Sequence, residues 1–195
     1  MTERSFTLFD TAIGICGIAW SEAGILAVQL PQADIGATRD GLRRVAPGAV
    51  EVEPPAAVAD AIAGIVALLA GHRRDLRDIV IDERAIAPFN RRVYAIVRQI
   101  LPGETMTYGE IAERLGDKTL ARAVGQAMGE NPTPIVMPCH RVLAAGGKTG
   151  AYKAGGFSAP GGVATKLRLL TIEGARPGAP TLFDDLPLAL APQRR

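Results

Sequence analysis

The chain has 195 residues, with 22 Lys and Arg against 20 Asp and Glu, 48% hydrophobic residues, two cysteines and two histidines. That length allows one large domain or two small ones, and the apolar fraction excludes a chain disordered throughout. Two cysteines exclude a disulfide-stapled scaffold. Cys16, Cys139, His72 and His140 are the whole supply for a Cys/His zinc site, so no metal and no cofactor is expected.

The longest apolar run, residues 56–70, is interrupted by Asp60 and is too short for a bilayer. The start Met1-Thr2-Glu3-Arg4 lacks a secretory pattern, which points to a cytoplasmic protein with a free Cys139 thiol. The net charge of +2 conceals an asymmetry: residues 1–85 carry 8 basic and 12 acidic side chains, residues 86–195 carry 14 and 8. Residues 131–172 hold Arg141, Lys148, Lys153, Lys166 and Arg168 and no acid. A polyanion facing the second half and a solvated basic face both account for this.

Residues 5–9 alternate in polarity, and 14–20 and 24–30 are apolar runs separated by Ser21-Glu22-Ala23, which predicts strands and a hairpin. A connection punctuated by Pro31, Gly36, Pro47 and Gly48 follows. Pro54-Pro55 opens a helix with apolar residues at 58, 62, 65, 66 and 69 and Gly71 as its stop, and residues 78–81 read as one more short strand. Residues 1–85 are therefore expected to be a small α+β domain, a sheet with a helix laid on it.

From Pro88 the pattern is helical. Phe89, Val93, Ile96, Val97 and Ile100 form one apolar stripe, ended by Pro102-Gly103. Thr107-x-x-Glu110 is a capping box that opens a second helix through Leu115. After Gly116-Asp117 a third helix covers about residues 119–128, with Ala121, Val124, Ala127 and Met128 inward. Two short helices across a Gly-containing turn form a helix-turn-helix unit, a pattern shared by DNA-binding and purely structural hairpins. The prolines of residues 131–138 then forbid helix. A Gly-rich loop spans 146–162, a last helix 164–173 stops at Gly174, and residues 176–195 read as a flexible tail. In that tail Leu182-Phe183 and Leu186-Pro187-Leu188 offer a docking segment for a protein partner.

Cys16 lies inside an apolar strand and reads as core, whereas Cys139 stands in Pro138-Cys139-His140-Arg141. A thiolate is a nucleophile stabilised by cationic and hydrogen-bonding neighbours, and His140 and Arg141 supply both types. The run Asn131-Pro132-Thr133-Pro134-Ile135-Val136-Met137-Pro138-Cys139-His140-Arg141-Val142 resembles the active-site signature of the O6-alkylguanine-DNA alkyltransferases, the methylated-DNA–protein-cysteine methyltransferases. The resemblance extends back through Pro102-Gly103-Glu104, the residues 107–112 and the residues 121–125. It extends forward to Lys166, Leu169, Leu170, Glu173 and Gly174, and more weakly to residues 16–20 with Gly24-Ile25.

The resemblance implies a ribonuclease H-like first domain, residues 1–85, and a helical second domain, residues 86–175, with a winged helix-turn-helix-like motif. It implies single-turnover DNA repair. Cys139 takes the alkyl group from guanine O6, and by extension from O4-alkylthymine, after base flipping. His140 helps take the thiol proton through a water, Glu173 orients His140, and Asn131 is the hinge that ties the turns around the cysteine. Tyr108 bonds the flipped base and helps protonate the departing guanine. Arg122 fills the gap in the stack, while Ala121, Ala123 and Gly125 allow close approach to the minor groove and Arg141 adds a DNA contact. Met128, Val142 and Ser158 are implied pocket-wall residues. The implied partner is double-stranded DNA containing O6-alkylguanine, met by a monomer at the nucleoid, with no membrane.

The loop from Cys139 to Glu173 is longer than the family pattern. Two registers compete for its Gly-rich element, residues 150–156 and residues 156–162; the second keeps the usual spacing of Gly162 to Glu173 and makes residues 151–154 an insertion. Three other functions compete: a lesion binder without transfer, a helix-turn-helix regulator and a thiol hydrolase. Cys139 opposes the first, and the third helix, with only Arg122 and Gln126 to read base edges, opposes the second.

Overall fold

The computed structural model describes residues 4–146 and 153–175. Strands β1 (Ser5–Thr11), β2 (Gly14–Ser21) and β3 (Gly24–Gln29) form an antiparallel meander. A two-residue strand β4 (Val50–Glu51) joins β1 in parallel, giving the order β3-β2-β1-β4. The β2–β3 turn is Glu22-Ala23, and Gly24 follows it at φ 133°. A Cβ at Gly24 would stand 2.7 Å from the carbonyl oxygen of Val80, so only glycine lets that segment pass.

Alternation along β2 divides its side chains between two cores. Ala19 joins Phe6, Ala27, Leu42 and Ala46 on one face. That face is covered by helix α1 (Ile35–Val45), which the Pro- and Gly-punctuated connection had concealed. Asp34 caps α1 by accepting from the Ala37 N–H at 2.8 Å, and Arg43 and Arg44 complement the dipole in its last turn. Cys16, Ile18 and Trp20 point to the other face, toward helix α2 (Ala56–Leu69) with Val58, Ala61, Ile65 and Leu68 inward.

The strand expected at 78–81 reduces to an isolated bridge between Ile25 and Ile81. That bridge uses the Val80 carbonyl, which accepts from the Ile25 N–H at 2.9 Å, and the Asp82 N–H, which donates to the Ile25 carbonyl at 2.9 Å. On the opposite edge of the segment Arg98 Nη2 donates to the carbonyls of Arg77 at 2.9 Å and Ile79 at 2.7 Å.

Helix α3 (Pro88–Val97) carries Val93, Tyr94 and Val97 into the same cluster that holds Cys16 and Trp20. Strand β5 (Met106–Thr107) leads directly into α4 (Tyr108–Arg114), and a 3-10 turn, Lys118–Leu120, leads into α5 (Ala121–Gly129). The expected capping box is present: Thr107 Oγ1 accepts from the Glu110 N–H at 3.1 Å, and Glu110 accepts from the Thr107 N–H at 2.6 Å. β5 pairs in parallel with β6 (Val142–Leu143), and α6 (Gly162–Ile172) closes the described chain. One apolar cluster thus runs from Cys16 to Leu169 across both halves. Among the described residues no helix is long and apolar enough to cross a membrane. The tail 176–195 lies outside the described residues.

Candidate active site

Cys139 opens a 3-10 turn, Cys139–Arg141, at the end of the proline-rich passage. Pro132, Pro134 and Pro138 keep this passage out of a helix, and it folds back on itself through the Met137 N–H to the Thr133 carbonyl at 2.8 Å. Buried Ile135 is held at φ 76°, a left-handed conformation that a β-branched residue adopts only when its surroundings impose it. Asn131 does the imposing. Its Nδ2 donates to the Met137 carbonyl at 2.9 Å and to Cys139 Sγ at 3.1 Å, while its Oδ1 accepts from the Thr133 N–H at 3.0 Å.

Behind the thiol, His140 is fully buried and its Nε2 lies 2.9 Å from Oε1 of Glu173, at the end of α6. Arg141 reaches the same carboxylate twice, Nε to Oε2 at 2.7 Å and Nη2 to Oε1 at 2.8 Å. Its Nη1 donates to the Ile100 carbonyl at 2.6 Å. Burial alone would raise the Glu173 carboxyl, but the hydrogen bonds from His140 and Arg141 outweigh it and hold the group at about 2. An ionised carboxylate only accepts, so Nε2 of His140 carries the proton and Nδ1 holds the lone pair. Burial keeps His140 below its ordinary range against the pull of Glu173, and Arg141 and Lys166 add to the depression.

Lys166, on α6, is also fully buried; its ammonium donates to the carbonyls of Val142 and Gly156 and stands 5.8 Å over the Tyr108 ring. Desolvation brings it down to about 8, against the attraction of the Cys139 charge. Burial pushes the Cys139 thiol up, while the Asn131 hydrogen bond and the Lys166 ammonium pull the other way. Tyr108 is half-buried, at the first position of α4, and the β5–β6 pairing fixes that helix start beside the strand leaving the cysteine turn. Gly155, at φ 70°, closes on it: a Cβ there would lie 3.0 Å from the Tyr108 hydroxyl.

The family model for the DNA-binding domain of 6-O-methylguanine DNA methyltransferase matches residues 88–175, from the first residue of α3 to Ala175. The methylated-DNA–protein-cysteine methyltransferase of Mycolicibacterium paratuberculosis is 44% identical over 133 residues, covering 68% of this chain and 75% of that protein. The chain belongs to the methylated-DNA–protein-cysteine methyltransferases. The Methanothermobacter thermautotrophicus member is 33% identical over 158 residues, covering 81% of this chain and 78% of its own. The crystal structure of the Mycobacterium tuberculosis O6-methylguanine methyltransferase superposes with a TM-score of 0.68 at 31% identity, over 93% of this chain and 99% of that one. The Mycobacterium tuberculosis protein in complex with DNA gives 0.66 at 30% identity, over 90% and 96%.

In this methyltransferase family member, Asn131 with Cys139 and His140 with Glu173 form two hydrogen-bonded pairs, brought together because Cys139 and His140 are neighbours in one 3-10 turn. Met128 and Val142 are buried. Arg122 is exposed near the start of α5, with Ala121, Ala123 and Gly125 half-buried along the same helix. Two expectations need correction, the surface place of Arg141 and the single basic face. Arg141 is no DNA contact: it is 5% exposed, and its guanidinium is used up on Glu173 and Ile100. Ser158, expected on the pocket wall, is exposed in the segment before α6, and Gly155 is a loop residue that meets Tyr108. Of the Gly-rich element, Gly155 stands against Tyr108 and the Gly156 carbonyl accepts from Lys166, while Gly150, Ala151 and Tyr152 lie outside the described residues. The acid-free stretch is also not one solvated face, because Arg141 and Lys166 point inward.

The sequence had given Lys166 no role beyond its charge. A lysine four residues after the start of an otherwise apolar helix face, between Val163 and Leu169-Leu170, was the available signal.

Proposed function

We propose that this chain repairs DNA by direct reversal, accepting the alkyl group of O6-alkylguanine, and by extension of O4-alkylthymine, on Cys139. The S–C bond forms as the C–O6 bond breaks, guanine departs, and the chain keeps a thioether. His140, through a water, takes the thiol proton on Nδ1, Glu173 orients it, and Tyr108 helps return a proton to guanine. The observation that carries this reading is the Cys139 thiol held by Asn131 beside the buried His140–Glu173 pair in a member of this family.

A duplex base cannot reach a buried thiol, so the nucleotide must flip, at an unstacking cost of a few kcal/mol. Arg122 fills the gap, and the small residues of α5 let the helix approach the minor groove. In this reading α4 and α5 are the helix-turn-helix of a winged motif, residues 86–175 are the alkyltransferase unit, and residues 1–85 are a ribonuclease H-like companion. The protein works as a monomer in the cytoplasm, at the nucleoid. Phosphate contacts supply most of the affinity, which falls with salt and shows little sequence preference.

The test is intact-protein mass after incubation with duplex DNA containing O6-methylguanine. The expected result is a gain of one methyl mass, stopping at one equivalent and mapping to Cys139. Tight lesion binding without mass gain would turn the reading into that of a non-repairing lesion binder.

A further inference from the structure

The buried arginine that ends the cysteine turn has no place in the proton path described above, yet it makes three hydrogen bonds there. Three of its nitrogens are committed, two to Glu173 and one to the Ile100 carbonyl. The Ile100 end matters because that carbonyl belongs to the segment just after α3, outside the turn that carries Cys139. Glu173 is thereby fastened through Arg141 to a second element, although the carboxylate itself stands at the fraying end of α6.

The geometry points to Arg141 as a positioning residue for the transfer: it locks the Glu173 carboxylate in one orientation, fixes the Nε2-protonated tautomer of His140 and adds to burial in keeping that imidazole uncharged. This rests on the transfer reading of Cys139. The physics is a competition for one carboxylate. Glu173 alone beside His140 would favour imidazolium, which has no lone pair for a thiol proton. Arg141 satisfies the same carboxylate with a permanent charge, so a second cation on His140 gains little. Lys166, on α6, acts on His140 in the same sense. The other charged or titratable groups nearby are Cys139 on the turn itself and Asp75, which acts on the Arg141 side. Arg73 donates to the Pro102 carbonyl on the side where Gly103 meets the Glu173 backbone. Of these, only Arg141 both touches the carboxylate and is anchored elsewhere.

The test separates charge from geometry with two substitutions in the full chain. Arg141→Gln removes the charge, and the acid limb of the transfer rate against pH should move upward by about one unit. Arg141→Lys keeps the charge and loses the fork, so the acid limb should stay while the rate falls. If both variants slow transfer and neither moves the limb, Arg141 is only a structural brace and the proposal fails. Should the variants not fold, the wild type still decides. With only His72 and His140 in the chain, nitrogen NMR on histidine-labelled protein reads His140 directly. A neutral ring protonated on Nε2 at pH 7 is expected, and a charged ring at pH 7 overturns the proposal. Absence of any methyl gain in the wild type would instead sink the transfer reading, which the NMR result does not touch.

Discussion

Cys139 is reactive chemistry placed in a poor solvent for it. Burial opposes the thiolate, so its stabilisation falls to the Asn131 hydrogen bond and the Lys166 charge. Cys139→Ala should abolish transfer and leave affinity for lesion-bearing duplex within a few-fold, read by mass and by fluorescence anisotropy. Retained transfer would place the acceptor elsewhere. Arg122→Ala should slow reaction with duplex about tenfold or more, a loss of about 1.4 kcal/mol, and leave reaction with the free base O6-benzylguanine nearly unchanged. Equal slowing of both would deny Arg122 a role in flipping. At this scale the Pro138-Cys139-His140-Arg141 run marked the reactive thiol, and the family resemblance rather than residue type singled out Glu173 and Asn131, the side chains found against His140 and Cys139. Arg141 was misread because an arginine's address depends on its partner, and Glu173 lies far along the chain. The acid at the end of α6, unfavourable to the helix dipole, was the clue to a buried cation near it.

Elements with a periodic apolar stripe and clear caps were legible: β1 to β3, α2, α3, and α4 with its capping box. Helix α1 was hidden because its inner face uses Thr38, Gly41 and Leu42, a stripe with one large apolar residue, packed where Gly17 leaves room for Leu42. Asp34 and the Arg43-Arg44 pair were its only strong signals. The strand expected before Arg84 shortens to the one bridge between Ile25 and Ile81, and its outer edge is held by a side chain distant in sequence, Arg98, which no local pattern announces. The capping box matters to function because Tyr108 is the next residue after the cap. Thr107→Ala should lower stability by about 1 kcal/mol in urea titration. It should also slow transfer from duplex and free base alike, as Tyr108 loses its fixed start. An unchanged midpoint would show that β5–β6 pairing alone holds the helix.

Acid tests the molecule as a whole. His140 sits below its ordinary 6.5 and Glu173 at about 2 against an ordinary 4.5. In both cases the unfolded chain binds more protons than the folded one, so stability rises with pH across these ranges. The melting temperature should begin to fall as pH drops below about 6.5 and fall further from about 4.5 toward 2, with Glu173→Gln flattening the lower step. A flat profile from pH 7 to pH 3 would contradict the buried pair. The break in sequence grammar near residue 86 does not appear as a break in packing, since Cys16, Trp20, Tyr94, Val97 and Leu169 share one cluster. Arg168 also reaches the Ala12 carbonyl at 3.2 Å. A direct link between the sheet and the proline-rich passage is the Val28 N–H, donated to the carbonyl of Pro132 at 2.9 Å, one residue past Asn131. That single amide makes the sheet a natural recorder of the hinge: its exchange with deuterated water can time each loosening of the turn, with no label placed near the thiol.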